Sequence, residues 1–348
     1  MLWAVILLGI LGARTMVARA APAPRLQNIQ EFLSIPIHTA RVTDAFWPSD
    51  AGRPTSEEVP AHADSSLNPH PSSLPDFILI QDVHRHPQVQ SRIAYLIINA
   101  YNRWGVRKVF MEGAFTPLDV TVFHRVPMKT QELLVQRLVK DGDLSGPELA
   151  AVLIMEREWT NPPVSPFQLF GMEEPKLYRQ NILAYESVLA ARDRALENLV
   201  SIRRLQMAMR VPPNNPLAQE LDRIVTLLHL KLTPAEYEAY LKGKSLAPSS
   251  PVLNPAVRAA EEFYRLVRLR SRVFLKEAMR KAPASTAPRI LVVGGFHTAE
   301  MAALLRQERR SFVVLSPAVS SGSAEPIYEK RLQETAHVIT EVLLPSSR

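Results

Sequence analysis

The stretch FILIQDVH, Phe77–His84, is an apolar run of strand length that stops abruptly at ionisable residues. Two further segments have the same form, VFMEGA at Val109–Ala114 and LVVGGFHT at Leu291–Thr298. Unbroken apolar runs are typical of strands buried on both faces of a parallel sheet, and open sheets of this kind place their ligands at the carboxyl ends of the strands. The pattern therefore predicts an α/β fold with a site at the polar ends of these three segments.

The region around the first strand predicts that two of these polar ends meet. Apolar residues recur at helical spacing over Gln88–Arg103, which indicates a crossover helix before a second strand at Val109–Met111. A β-helix-β unit puts both strand ends on the same edge of the sheet. We therefore expect His84 and Glu112, which follow the two strands, to lie close together.

The rest of the chain predicts a mostly parallel central sheet flanked by helices, with a large all-helical insertion between its two halves. Further strands are expected at Phe167–Phe170, Ile290–Val293 and Phe312–Leu315, whereas the period from Lys176 to about Lys281 is almost wholly helical. The predicted divisions are a signal peptide (1–20), a lead-in and flexible linker (21–75), the first half of the α/β core (76–175), the helical insertion (176–285) and the second half of the core (286–348), with a closing helix at 330–342.

Composition limits the classes of function. The 348 residues are 47% hydrophobic and 22% charged, which suits a globular protein of enzyme size, and the absence of cysteine excludes thiolate nucleophiles, disulfides and cysteine-ligated metals. The net charge of +7 reflects arginines grouped at 192–204 and 258–272. These fall on helical patterns and are predicted to be solvated helix faces, with an anionic ligand or an anionic membrane surface as the alternative. Without a recognised binding motif, no nucleic acid partner is expected.

The first twenty residues predict export to the periplasm or the medium. An unbroken apolar run at Leu2–Ala13 precedes Ala18-Arg19-Ala20, which suits signal-peptidase cleavage after Ala20. A run of about a dozen residues is too short to cross the roughly 30 Å apolar core of a bilayer as a helix. No transmembrane span is therefore expected after cleavage.

The order of the motifs resembles a superfamily that joins erythromycin esterases, ChaN-like haem-binding proteins, TraB/PrgY proteins and Tiki metalloproteases, and a bacterial branch of it most of all. The matching elements are Asp82 two positions before His84, Glu112 followed by Gly113, and a late GGFH at Gly294–His297. Stretches LVKDGDLSGPEL (138–149), LFGMEEPKLY (169–178) and SFVVLSP (311–317) also agree, and so does Gln90. The lack of cysteine excludes the lipid anchor of the haem-binding relatives.

Histidines and carboxylates at strand ends allow two chemistries. They can bind a divalent metal (Mn, Co or Zn) through His84, Glu112 and His297, or they can act on a water molecule directly as base and acid. The resemblance implies both, since Tiki proteins use the first and erythromycin esterases the second. Asp82 is expected to orient His84. Residues expected near the substrate are Gly113, Glu148, Glu173, Gly294 and Gly295, although Glu148 also suits the first turn of a helix.

Three functions remain open at this point. The leading hypothesis is an exported hydrolase that cleaves an ester or amide bond of a small molecule or peptide with activated water. The resemblance also allows a haem-binding protein in which Tyr178, Tyr264 or a histidine ligates iron. A third option is a non-catalytic interaction protein on the same fold, and in each case the chain could form a homodimer.

Overall fold

A computed structural model describes residues 24–48, 73–84, 86–210, 212, 215–243, 251–282 and 287–319. The predicted signal peptide, most of the predicted linker and the predicted closing helix at 330–342 lie outside these residues. No helix in the described ranges is long and apolar enough to cross a bilayer.

The described residues form an α/β fold built on one seven-stranded mixed sheet, which confirms the predicted fold class. The strands are β1 (Ala40–Phe46), β2 (Phe77–Asp82), β3 (Lys108–Met111), β4 (Pro117–Leu118), β5 (Gln168–Gly171), β6 (Arg289–Gly294) and β7 (Phe312–Pro317). Their order across the sheet is β1-β7-β2-β6-β3-β5-β4. The five inner strands pair in parallel, whereas β1 and β4 pair antiparallel with their neighbours at the two edges.

Nine α-helices flank the sheet in the described part of the chain. They are α1 (Pro24–Phe32), α2 (Pro87–Trp104), α3 (Met128–Asp141), α4 (Gly146–Thr160), α5 (Pro175–Ala208), α6 (Pro216–Leu228), α7 (Pro234–Gly243), α8 (Leu253–Lys281) and α9 (Gly295–Gln307), with a short 3₁₀ helix at Thr121–Arg125. Between β5 and β6 the described residues contain α5 to α8 and no strand. The start of α7 is capped by Thr233 and Glu236, which form reciprocal hydrogen bonds.

The inner strands are continuous apolar runs because helices cover both faces of the sheet. Successive residues of a strand point to opposite faces. Ile78 and Ile80 face a core shared with α2 and α4, whereas Phe77 and Leu79 face a second core shared with α8 and α9. All four side chains are at most 1% exposed. This burial on both sides explains why β2 could be recognised from sequence.

The strand order decides which chain segments meet at the carboxyl edge of the sheet. Strand β6 is inserted between β2 and β3, with Asp82 of β2 beside Gly294 of β6 and Met111 of β3 beside Val292. The residues that follow β2, β6 and β3 are therefore neighbours, although they are far apart in sequence.

Both edge strands are missing from the predicted elements. β1 lies in the segment predicted as a lead-in, yet six of its residues pair with β7, with a bulge between Val42 and Asp44. Only Ala40 and Val42 of β1 are buried, so the strand has little apolar signal of its own and is held by the backbone ladder. β4 is only two residues long.

Candidate active site

Asp82 and His84 form a hydrogen-bonded pair at the end of β2. Asp82 Oδ2 lies 2.5 Å from His84 Nδ1. The other carboxylate oxygen of Asp82 accepts a 2.7 Å hydrogen bond from the amide of Gln90, whose own oxygen accepts one of 2.6 Å from the backbone N–H of Gly146. Gln90 is buried. Helices α2 and α4 thus hold Asp82 in place, and Asp82 fixes the orientation of the imidazole.

The environment favours the protonated form of His84. Burial acts to lower the pKa of His84, and so does the charge of Arg270. The charge and hydrogen bond of Asp82, together with the charge of Glu112, outweigh both and raise the pKa of His84 to about 9. The imidazole is therefore mostly a cation at neutral pH, and it becomes a base as the pH rises towards 9.

Glu112 follows β3 and is held by three groups. Its Oε2 accepts a 2.9 Å hydrogen bond from the backbone N–H of Gly294, and its Oε1 lies 3.1 Å from Arg270 Nη2 and 3.4 Å from His297 Nε2. Burial acts to raise the pKa of the Glu112 carboxyl, but His297, Arg270 and His84 hold that pKa well below its usual range. Glu112 is therefore an ionised carboxylate.

Arg270 of α8 is the buried cation of the site. Its guanidinium donates to both carboxylate oxygens of Glu173 (2.5 and 3.2 Å), to Oδ1 of Asn181 (2.8 Å) and to Glu112. Burial acts to lower the pKa of Arg270, but Glu173 and Glu112 raise it above its usual value. With 5% of its surface exposed, Arg270 contradicts the prediction that the arginines of this segment are solvated.

The spacing of α8 contains the signal that identifies Arg270. From residue 266 onward the buried positions of this helix recur at helical intervals, and they are Leu266, Val267, Arg270, Ser271, Phe274, Leu275 and Ala278. Arg270 and Ser271 are thus polar residues within an apolar stripe. Asn181 occupies a similar buried position in α5. The density of arginines along this segment gives no sign that Arg270 is buried.

His297 is in the first turn of α9, and its side chain is buried against α8. The Nδ1 atom lies 2.8 Å from the hydroxyl of Ser271, and the ring centroid lies 5.0 Å from that of Phe274. Ser271 has no exposed surface. These contacts fix the ring with Nε2 directed at Glu112.

The predicted glycines allow the polar groups to approach. A Cβ built at Gly294 would lie 3.4 Å from Glu112 Oε2 and 3.5 Å from His84 Nε2, so the imidazole and the carboxylate are both close to the same point above this residue. Gly113 has a positive φ of 83°, and its N–H donates to Glu173 Oε1 at 3.1 Å. A Cβ at Gly295 would meet the amide of Gln81 at 2.8 Å. Conformation therefore favours glycine at position 113, whereas a methyl group at position 295 would displace the end of the Gln81 side chain.

The two predicted acidic residues outside the centre have different roles. Glu173 is buried, and its carboxylate accepts hydrogen bonds from the guanidinium of Arg270 and from the backbone N–H of Gly113. Glu148 lines the same cavity as the centre, but its carboxylate forms a capping box with Ser145, accepting from the N–H at 2.9 Å and from the hydroxyl at 2.6 Å. Glu148 therefore stabilises the start of α4, in line with the alternative considered for it.

One cavity of about 960 Å³ contains the polar ends of β2, β3 and β6. Asp82, His84, Glu112, Arg270 and His297 all line it. The side chains predicted from three distant segments thus share one cavity, to which Arg270 adds a cation that was not predicted.

The residues at this centre do not fit a divalent metal. No group of three or more histidine and carboxylate side chains in the described ranges is placed to hold a metal ion. The cation of Arg270 lies 3.1 Å from Glu112 Oε1 and already balances the charge of this carboxylate. A second cation at this position would be repelled by the first.

Haem ligation by the two candidate tyrosines also fits poorly. The hydroxyl oxygen of Tyr264 accepts a 2.8 Å hydrogen bond from the N–H of Leu232, and burial raises the pKa of this tyrosine. Burial likewise raises the pKa of Tyr178, whose ring packs edge-on against Phe115. Both environments disfavour the phenolate that would ligate iron.

Comparison of the chain with family models, with curated proteins and with solved structures gave no match.

Proposed function

We propose that this protein is a hydrolase that cleaves an ester or amide bond with a water molecule activated by protein side chains alone. The observation that carries the proposal is that His84 Nε2 and Glu112 Oε2 both lie within 3.5 Å of the Cβ position of Gly294, in one cavity. A base held by one carboxylate and close to a second, ionised carboxylate is a suitable arrangement for general acid–base chemistry.

The proposed reaction assigns a role to each group. His84 in its neutral form removes a proton from the water, Glu112 orients that water, and the water oxygen adds to the carbonyl carbon. The developing oxyanion is stabilised by the first N–H groups of α9, which have no partner within the helix. The bond to the leaving group then breaks, and the imidazolium of His84 returns the proton to the leaving oxygen or nitrogen.

The remaining residues act on these groups. Asp82 holds the ring of His84 and favours the imidazolium that forms during the reaction. Arg270 and His297 keep Glu112 ionised and in position. Arg270 already balances the negative charge of Glu112, as a metal ion would have to do. We therefore propose the metal-free form of the reaction.

The motif order supports a further part of the proposal, membership in the superfamily of erythromycin esterases, ChaN-like proteins, TraB/PrgY proteins and Tiki proteases. The apolar run before Ala20 supports export of the mature protein.

The variants His84→Gln and Glu112→Gln test the assignment. Each keeps the size of the side chain but removes the base or the charge, and each should lower ester turnover by roughly 10²- to 10⁴-fold. The matched controls are His38→Gln and Glu31→Gln, which change exposed residues outside the cavity. Turnover is followed by proton release and folding by circular dichroism. Variants that fold and retain full turnover would show that the assignment is wrong.

A further inference from the structure

The cavity has an aromatic wall in addition to its polar centre. The rings of Tyr185, Phe263, Tyr264 and Phe296 form a continuous row with centroid separations of 6.3, 5.7 and 5.4 Å. All four residues line the cavity. The four rings belong to α5, α8 and α9. The last of them, Phe296, directly precedes His297, so this end of the row lies beside the polar centre.

The wall presents ring surface rather than polar atoms. Phe263 and Phe296 are only partly buried, so part of each ring remains accessible. The hydroxyl of Tyr264 is already used by the N–H of Leu232. Ile182, one turn from Tyr185 on α5, adds an aliphatic side chain to the lining. Tyr185 and Tyr264 are themselves buried, at 8% and 1% exposed, so the accessible ring surface of the wall is that of Phe263 and Phe296, which line the same cavity as His84 and Glu112.

We propose that this aromatic wall binds a bulky apolar group of the substrate, preferably an aromatic one, attached to the scissile ester or amide. The substrate class is then esters or amides with a large apolar group beside the reacting carbonyl, rather than acetyl esters of small alcohols. This inference rests on the proposed function. The size of the cavity agrees with it, because pockets of roughly 300–1,000 Å³ bury ligands of drug size and this one measures about 960 Å³.

The inference predicts a preference that kinetics can measure. Burying a phenyl group on the wall should raise kcat/KM about 10- to 150-fold relative to an ester that cannot reach it. Three esters serve as probes of the full chain: ethyl acetate, benzyl acetate and ethyl phenylacetate. Proton release gives each rate, and division by the rate of hydroxide-catalysed hydrolysis removes differences in intrinsic reactivity.

Variants locate the preference on the wall. Phe263→Ala should lower the ratio of the rate with the preferred aromatic ester to the rate with ethyl acetate at least about fivefold. The matched control is Phe46→Ala, which removes a half-buried ring that packs on Phe312 outside the cavity. If Phe263→Ala does not fold, Phe296→Leu removes the ring nearest the centre and keeps an apolar side chain. Equal normalised rates for all three esters would overturn the proposal.

A binding experiment separates failure of the wall from failure of the proposed function. The ketones 4-phenyl-2-butanone and 2-pentanone match benzyl acetate and ethyl acetate in shape but cannot be hydrolysed. Calorimetric binding of the phenyl ketone, tighter than that of 2-pentanone and weakened by Phe263→Ala, would support the wall even if no ester were hydrolysed. Equal or absent binding of the two ketones would overturn the inference whatever the turnover.

Discussion

The substitution Asp82→Asn should change the pKa of His84 more than any other single change at the site. Asp82 is the largest influence that raises this pKa, through its charge and its 2.5 Å contact with Nδ1. Without that charge, burial and Arg270 both act to lower the pKa, opposed only by Glu112. The pKa should therefore fall from about 9 to below the ordinary value of 6.5.

The same change alters the pH dependence of stability. Between pH 6.5 and about 9 the folded wild-type protein binds a proton at His84 that the unfolded chain does not, so this contribution is complete below pH 6.5 and is lost as the pH rises through 9. The stabilisation from this proton amounts to about 3 kcal/mol without screening of the charges by solvent. Because the side chain of His84 is in partial contact with water, we expect about 2 kcal/mol. The variant should lack this decline.

Nuclear magnetic resonance of the imidazole rings measures the pKa directly, with His84→Gln to assign the signal. Only nine histidines contribute signals to the spectrum. Urea unfolding at several pH values gives the stability. A wild-type pKa near 6.5, or the same pKa in Asp82→Asn, would refute the electrostatic account of the pair.

Two further predictions concern the buried charges and the close approach at β6. Arg270→Met should lower the free energy of unfolding by about 3–5 kcal/mol, because Glu112 and Glu173 lose their buried partner. Urea unfolding measures this change, and the control is Arg265→Met, which changes an exposed arginine. Equal stabilities of the two variants would contradict the prediction. Gly294→Ala should fold normally but lower ester turnover by roughly 10²-fold, because its methyl group enters the space where the water is proposed to bind. Unchanged turnover in this variant would place the water elsewhere.

The inner strands could be predicted because burial on both faces leaves an uninterrupted apolar run. β2, β3 and β6 each match such a run, and the carboxyl edge follows from their parallel direction. The insertion of β6 between β2 and β3 could not be predicted in this way. It depends on how a strand late in the chain pairs with strands about 180 and about 210 residues earlier, and no local pattern specifies that pairing.

The polar centre could be predicted only in part, for a related reason. His84, Glu112 and His297 follow apolar runs and are recognisable by position. Arg270 is on a helix whose charged residues are mostly exposed, and its burial depends on partners from β3 and β5. The interruption of the apolar stripe of α8 is the one local sign of it. Electrostatic partners distant in sequence therefore require the folded structure.

The proposed reaction activates water without a metal ion. The most direct test is to treat the wild-type protein with a chelator, confirm by elemental analysis that metal has been removed, and measure hydrolysis of benzyl acetate and ethyl phenylacetate before and after adding Mn²⁺, Co²⁺ or Zn²⁺. We expect full turnover without metal, no gain on its addition, and loss of turnover in Glu112→Gln. Turnover that disappears with the chelator and returns with one of the metals would contradict the claim.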